Sequence, residues 1–231
     1  MINASLLAAI PSRIMNAVSD PQWKIFTNVS DAGVDIRLDG FVGDEYTQSD
    51  AASIRGILKA NKGKQATLRV SSGGGLAFDG INIHNAFAEH DGPTVGIIES
   101  LAASAAAVAV LGTQKIQMNA NATFMIHESI GAVAGHAWEI RELLQWMDRL
   151  DGAIAETIAD KTGLPFATVV NHLKGNGDGT VFNATEALQA GYVHEIIGKK
   201  EPAKSQPKRN EVDEQRFRAM AVRNWMLRKR A

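Results

Sequence analysis

From Val34 the string VDIRLDGFV alternates apolar and polar residues, the two-residue period of a strand with one buried face. Ser49 and Asp50 then supply N-cap chemistry for a helix running to about Lys59. After a turn at Asn61–Gly63, ATLRV reads as a buried strand that ends abruptly at Ser71-Ser72-Gly73-Gly74-Gly75, and a helix follows from about Asp79 to Glu89. The unit recurs as a strand at Thr94–Ile98, a helix of small residues at Ala103–Leu111, and strands at Lys115–Met118 and Phe124–Ile126. The longest helix covers about Ala137–Lys161, with Ile140, Leu143, Met147, Leu150, Ile154 and Ile158 on one stripe. Shorter helices near Pro165–Leu173 and Thr185–Ala190 precede a last strand at Tyr192–Ile196. Alternating strands and helices predict an α/β domain whose parallel sheet is covered on its faces.

The same pattern divides the chain in three. Residues 1–32 show no strong period and are expected to form an N-terminal arm or a short helix, ahead of a domain at 33–198. After Gly198 the composition turns to GKKEPAKSQPKRN, a Lys/Pro/Ser-rich linker. EVDEQRFRAMAVRNWMLRKR follows, read as an amphipathic helix with Phe217, Met220 and Met226 on its apolar side.

Charge sharpens this division. The formal net charge of -1 conceals 11 Lys/Arg against 4 Asp/Glu in residues 199–231, and 13 against 21 in the rest. An acidic body thus carries a basic tail, and the two are expected to do different things. A chain with Cys 0 has no disulfide framework, thiolate metal site or catalytic thiol. No apolar run is long enough to cross a bilayer, and no Lys or Arg precedes the brief apolar run in MINASLLAAIPSR. The expectation is a soluble cytoplasmic protein. Without an HExxH or a Walker lysine, no metal, cofactor or nucleotide is expected, and no nucleic-acid partner.

Three stretches can carry chemistry. SSGGGLAFDG is a strand running into glycines before a helix, where backbone N–H groups can approach a ligand closely; taken alone, a plain flexible turn is its ordinary reading. In ESLAASAAAVAVLG, Ser104 falls at a strand-to-helix turn. A serine there serves as a helix cap or small packing residue, or as a nucleophile with its hydroxyl exposed and the Ala105 N–H facing a developing oxyanion. In FMIHESIG, His127 ends an apolar strand, at the sheet edge where α/β folds place their sites; a structural histidine also fits. His84, His90, His136, His172 and His194 lie in polar or helical contexts that surface or cap roles explain.

In that order, SSGGGLAFDG, LAASAAA and MIHESIGAVAG resemble the three signatures of the Clp protease proteolytic subunit family, and the Gly75–Ser104 gap matches. NAF from Asn85, ESLAASAA and LDGAIAETIADKTG are similar to the Clp-like head-maturation proteases of tailed phages. The resemblance covers residues 34–197 and implies an α/β spiral of β-β-α units with a long projecting handle helix. It implies a serine endopeptidase with Ser104 as nucleophile, His127 as general base, and the N–H groups of Gly75 and Ala105 as oxyanion hole. Residues 131–135 resemble the segment that pairs with substrate backbone.

The family's acidic third residue falls on Gly179, before TVFNATEA. Asp178, one residue earlier, is the candidate orienting carboxylate; a Ser-His dyad oriented by a backbone carbonyl or water is the alternative. The partners implied are protein substrates, capsid or scaffold proteins in the phage branch, and copies of the chain in a homo-oligomeric ring, acting in the host cytoplasm or inside a procapsid. Three other readings compete: a degradative chamber fed by an AAA+ unfoldase, a crotonase-like acyl-CoA enzyme, and a non-catalytic assembly protein of the same fold.

Overall fold

The computed structural model describes residues 27–31, 33–44 and 49–198. The expected arm or helix before Thr27, the linker and the amphipathic helix after Gly198 lie outside the described residues. Strand β1 (Thr27–Val29) runs antiparallel to β2 (Gly33–Val42), so the end of the expected arm belongs to the sheet. Helix α1 (Ala51–Ala60) leads to β3 (Gln65–Gly75), α2 (Ala77–Ala88) to β4 (Thr94–Ala103), and α3 (Ala105–Leu111) to β5 (Lys115–Asn119). These four strands are parallel neighbours in the order β2-β3-β4-β5. Strand β6 (Thr123–Ile126), helices α4 (Ala137–Thr162) and α5 (Phe166–Lys174), β7 (Thr180–Asn183), α6 (Ala184–Gln189) and β8 (Glu195–Ile197) complete the described domain.

Alternation in the strands decides which face is the core. Val34, Ile36 and Leu38 of β2, Ala66, Leu68 and Val70 of β3, and Ile98 of β4 are essentially inaccessible. Each such Leu or Ile contributes on the order of 1.5–3 kcal/mol of burial free energy. Helix α3 is covered along its whole length, because small side chains let it sit tightly: a Cβ at Gly80 of α2 would come within 2.5 Å of the Ala105 carbonyl oxygen.

The alternate residues correct the expectation of a sheet covered on both faces. Among the described residues, the second face carries half-exposed charged ladders. Arg69 binds Asp35 at 2.8 Å and Glu99 at 3.3 Å, while Arg37 binds Glu99 at 2.7 Å and Asp39 at 3.0 Å. A period of two in parallel strands means one greasy side only.

Two boundaries also moved. Strand β4 continues to Ala103, where the helix was expected to start, because Leu101–Ala103 find a new partner in β6. Thr180–Asn183, read only as a motif, is strand β7, paired antiparallel with β6. No helix among the described residues is long and apolar enough to cross a membrane.

Asp50 caps α1 as its sequence context predicts: its carboxylate accepts from the Ser53 N–H at 2.9 Å and the Ser53 hydroxyl at 2.6 Å. Burial pushes its pKa up, but those hydrogen bonds outweigh it and hold the carboxyl below its ordinary range. A depressed folded pKa gives stability that is present above the unfolded pKa and lost as pH falls through the folded one. Asp50→Ala should therefore cost about 1 kcal/mol at neutral pH. Urea midpoints of parent and variant should converge as the pH is lowered.

Candidate active site

A fork in β4 builds the site. Val95–Ile98 pair with β5, whereas Leu101–Ala103 pair in parallel with Thr123–Met125 of β6. Between them the Glu99 carbonyl accepts from the Asn119 side-chain amide at 2.8 Å, so the strand changes partner without orphaning that oxygen. The Ser104 N–H then donates to the Met125 carbonyl at 2.9 Å, holding Ser104 beside the last residues of β6. His127 follows directly. Two side chains distant along the chain thus emerge together at the carboxyl ends of neighbouring parallel strands.

Ser104 is the sole described non-glycine residue with positive φ, at φ 55 and ψ -127. That conformation costs a side-chain-bearing residue about 1–3 kcal/mol, and such outliers concentrate at functional sites. The cap reading is not met, since the Ser104 hydroxyl makes no cap bond to α3. A serine on a strained strand-to-helix corner, its hydroxyl unclaimed by the helix, is a candidate nucleophile.

The glycine run is a continuation of β3, whose register shifts between Val70 and Ser72. Gly74, at φ +100, is the glycine lying against the serine: a Cβ there would sit 2.6 Å from Ser104 Cβ and 3.1 Å from the Ala105 nitrogen. Sequence reading singled out Gly75 and passed over Gly74. The signal was present in three consecutive glycines, but which one faces the serine depends on the bulge. Gly74 donates its N–H to Ser72 Oγ at 3.1 Å; Gly75 packs on Val42 and lines the cavity. Ala105, also on the cavity wall, opens α3, where the first N–H groups have no intrahelical acceptor.

His127 is half-buried, and its Nδ1 lies 2.5 Å from the Glu128 carbonyl oxygen. A carbonyl only accepts, so Nδ1 carries the proton and Nε2 of the neutral ring keeps its lone pair. No hydrogen bond joins the imidazole to Ser104 in this arrangement. Asp178 is exposed, with neither hydrogen bond nor ion pair to the imidazole among the described residues. Gly179, at φ +79, packs on the histidine itself, and a Cβ there would overlap the Ile126 carbonyl oxygen and His127 Cβ. The next two peptides are also anchored: the Glu128 N–H donates to the Leu173 carbonyl at 3.1 Å and the Ser129 N–H to Asp151 Oδ1 at 2.7 Å.

Other histidines have structural partners, His84 Nδ1 with Asn85 Oδ1 at 3.2 Å among them. His90 donates to the Lys64 carbonyl at 2.8 Å, and His194 Nδ1 accepts from the Ile116 N–H at 3.0 Å. His172 Nδ1 bonds the Tyr192 hydroxyl at 2.7 Å, in a ring cluster with Phe124 and Phe182. Burial there lowers the histidine's pKa and raises the tyrosine's.

Gly74, Gly75, Ser104, Ala105 and His127 all line one cavity of about 1030 Å³. Its walls are mainly apolar, with Leu76 and Phe78 of the glycine turn and α2 facing Leu143, Trp146 and Met147 of α4. The Phe78 and Trp146 rings meet at 5.3 Å between centroids, a contact worth about 0.5–1.5 kcal/mol. Helix α4 is buried only from Leu150 onward; its first half projects, with Trp138, Ile140 and Leu144 exposed.

The family model described as Clp protease matches residues 24–200. The chain is 26% identical over 161 residues to an ATP-dependent Clp protease proteolytic subunit of Bacteroides fragilis, covering 68% of this chain and 76% of that protein. The corresponding subunit of a second strain is equally similar, with 71% of it covered. A ClpP1 mutant from Listeria monocytogenes superposes with a TM-score of 0.59 at 20% identity, over 71% of this chain and 90% of that one, which establishes the shared fold.

The strain at Ser104 has a thermodynamic signature. Alanine at 104 keeps the positive-φ penalty and glycine does not, so Ser104→Gly should be more stable than Ser104→Ala by about 1 kcal/mol in chemical denaturation. At an ordinary position the order would be reversed.

Proposed function

The chain belongs to the Clp protease family, and we propose that it is a serine endopeptidase with Ser104 as nucleophile and His127 as general base. The observation that carries this reading is the strained serine, set beside the histidine in one apolar cavity next to a glycine turn. In the mechanism proposed, Nε2 of the neutral imidazole takes the Ser104 hydroxyl proton as Oγ attacks the scissile carbonyl carbon. The N–H groups of Gly75 and Ala105 receive the oxyanion, each such donor being worth about 3–4 kcal/mol in the transition state. The imidazolium then protonates the leaving amine, and water delivered by the same nitrogen releases the acyl group. The apolar walls favour a substrate with a large apolar side chain next to the cleaved bond.

Homo-oligomeric rings are the assembly form of Clp proteases, and the exposed Trp138, Ile140 and Leu144 of α4 supply an apolar surface for such an assembly. The finer reading is a head-maturation protease acting on capsid or scaffold proteins in a host cytoplasm or procapsid. What supports it is the phage-like wording of NAF, ESLAASAA and LDGAIAETIADKTG, together with a basic 199–231 segment suited to an acidic partner. A second reading, a degradative chamber working with an ATP-driven unfoldase, draws support from the name carried by the Bacteroides relatives.

A fluorophosphonate probe should label the purified protein at Ser104, and Ser104→Ala and His127→Ala should abolish labelling and cut peptide hydrolysis by on the order of 10⁴ or more. An unlabelled wild-type protein would leave a non-catalytic assembly or crotonase-like role. Co-expressed capsid components should be cleaved by the wild type and left whole by Ser104→Ala. ATP-stimulated degradation with a co-purifying unfoldase would favour the chamber instead.

A further inference from the structure

A general base needs its second ring nitrogen held, and the usual holder in such a triad is a carboxylate. In this chain the position matching the family's acidic residue is a glycine whose backbone packs against the histidine's Cα and Cβ. Gly179 packs so closely on His127 that even a methyl group there would overlap the histidine and the Ile126 carbonyl, and positive φ disfavours any side chain at that position. What holds Nδ1 is the Glu128 carbonyl, at 2.5 Å.

That carbonyl belongs to the peptide unit joining Glu128 to Ser129, and the N–H of the same unit donates to Asp151 Oδ1 at 2.7 Å. The described peptide bonds include no cis bond, so C=O and N–H point in opposite directions across this unit. Imidazole, peptide and carboxylate therefore form one line: Nδ1–H to oxygen, then through the amide, then N–H to carboxylate. The preceding peptide, His127–Glu128, is anchored as well, its Glu128 N–H donating to the Leu173 carbonyl at 3.1 Å. Hydrogen bonds in such a chain polarise one another, and a carboxylate on the N–H side makes the carbonyl oxygen a better acceptor.

Resting on the reading of His127 as the base, we propose that Asp151 is its orienting acid, acting at one remove through the Glu128–Ser129 peptide. Asp151 is a positioning residue: it makes no hydrogen bond to Ser104 and is not among the residues lining the cavity. Its place on α4 ties the imidazole to the helix that also supplies Leu143, Trp146 and Met147 to the cavity wall, so the base and the apolar wall are held by one element.

The test compares Asp151→Ala, Asp151→Asn, Asp178→Ala and His127→Ala in the full-length chain, reading the fluorophosphonate labelling rate at Ser104 and amide exchange in the segment 127–135. Asp151→Ala should slow labelling by about 10- to 100-fold, as expected for a displaced catalytic group, and should speed exchange of the Ser129 amide. Asp151→Asn, which keeps an acceptor oxygen for that amide, should preserve its protection and recover most of the rate. Asp178→Ala should label like the wild type.

Wild-type labelling in Asp151→Ala, with His127→Ala inert, would overturn the role of Asp151 and leave the serine peptidase reading standing. A tenfold loss in Asp178→Ala would overturn it in favour of the direct carboxylate. A wild type that does not label, or a His127→Ala that labels normally, would refute the peptidase assignment itself and Asp151's role with it. If Asp151→Ala fails to fold, Asp151→Asn decides alone: unprotected Ser129 exchange with an unchanged labelling rate would overturn the proposal.

Discussion

A strand offers one row of hydrogen-bonding groups along each edge, and β4 uses one for β3 and divides the other between β5 and β6. The division is possible because the Asn119 side chain covers the Glu99 carbonyl at the point of change. Past the fork, β4 and β6 run parallel to their ends, and what leaves those ends is Ser104 and His127. The constraint is backbone pairing, with no direct bond between the two side chains. The serine's position relative to the histidine is therefore a property of the sheet.

The strain at Ser104 is affordable because its surroundings leave it little alternative. Its N–H is held by Met125, helix α3 behind it is wholly buried, and Gly74 closes the remaining side. Packing density of this kind keeps a disfavoured backbone conformation in place. Such packing also accounts for the glycines: one lies on Ser104, one on Val42 and one, much later, on His127. Each is a point where another part of the chain approaches closer than a methyl group allows.

Electrostatics divides the sheet into two working sides. The helix-covered face is apolar and carries the stability, while the opposite face holds Arg37 and Arg69 between Asp35, Asp39 and Glu99. These half-exposed pairs add little energy individually, but they neutralise one another's charge on a face that helices leave open. The cavity is different again, mainly apolar in its lining, with α4 supplying part of its wall. Hydroxyl, imidazole and main-chain amides at the edge of an apolar slot suit a reaction in which charge develops on a carbonyl oxygen.

Much of this was legible in the order of residues. Two-residue alternation marked β2, the 3.6-residue stripe marked α4, and Asp50 announced the start of α1, because local chemistry alone decides those features. Ser104 and His127 stood out for their context: each follows an apolar strand and precedes a helix or glycine-bearing loop. The sequence alone could not say that β4 runs on to Ala103, that Thr180–Asn183 pairs with β6, or that Gly74 is the glycine against the serine. Those depend on which strand lies alongside, a choice made by pairing across long stretches of chain. The same holds for the imidazole's environment. Asp178 lies nearest the family's acidic position in sequence, yet it makes no hydrogen bond or ion pair with His127, whereas Asp151, 24 positions beyond the histidine, reaches the Ser129 amide. Sequence determined which groups the chain could bring to a site, and the fold decided which of them meet, because proximity in space is set by the sheet and by helix α4.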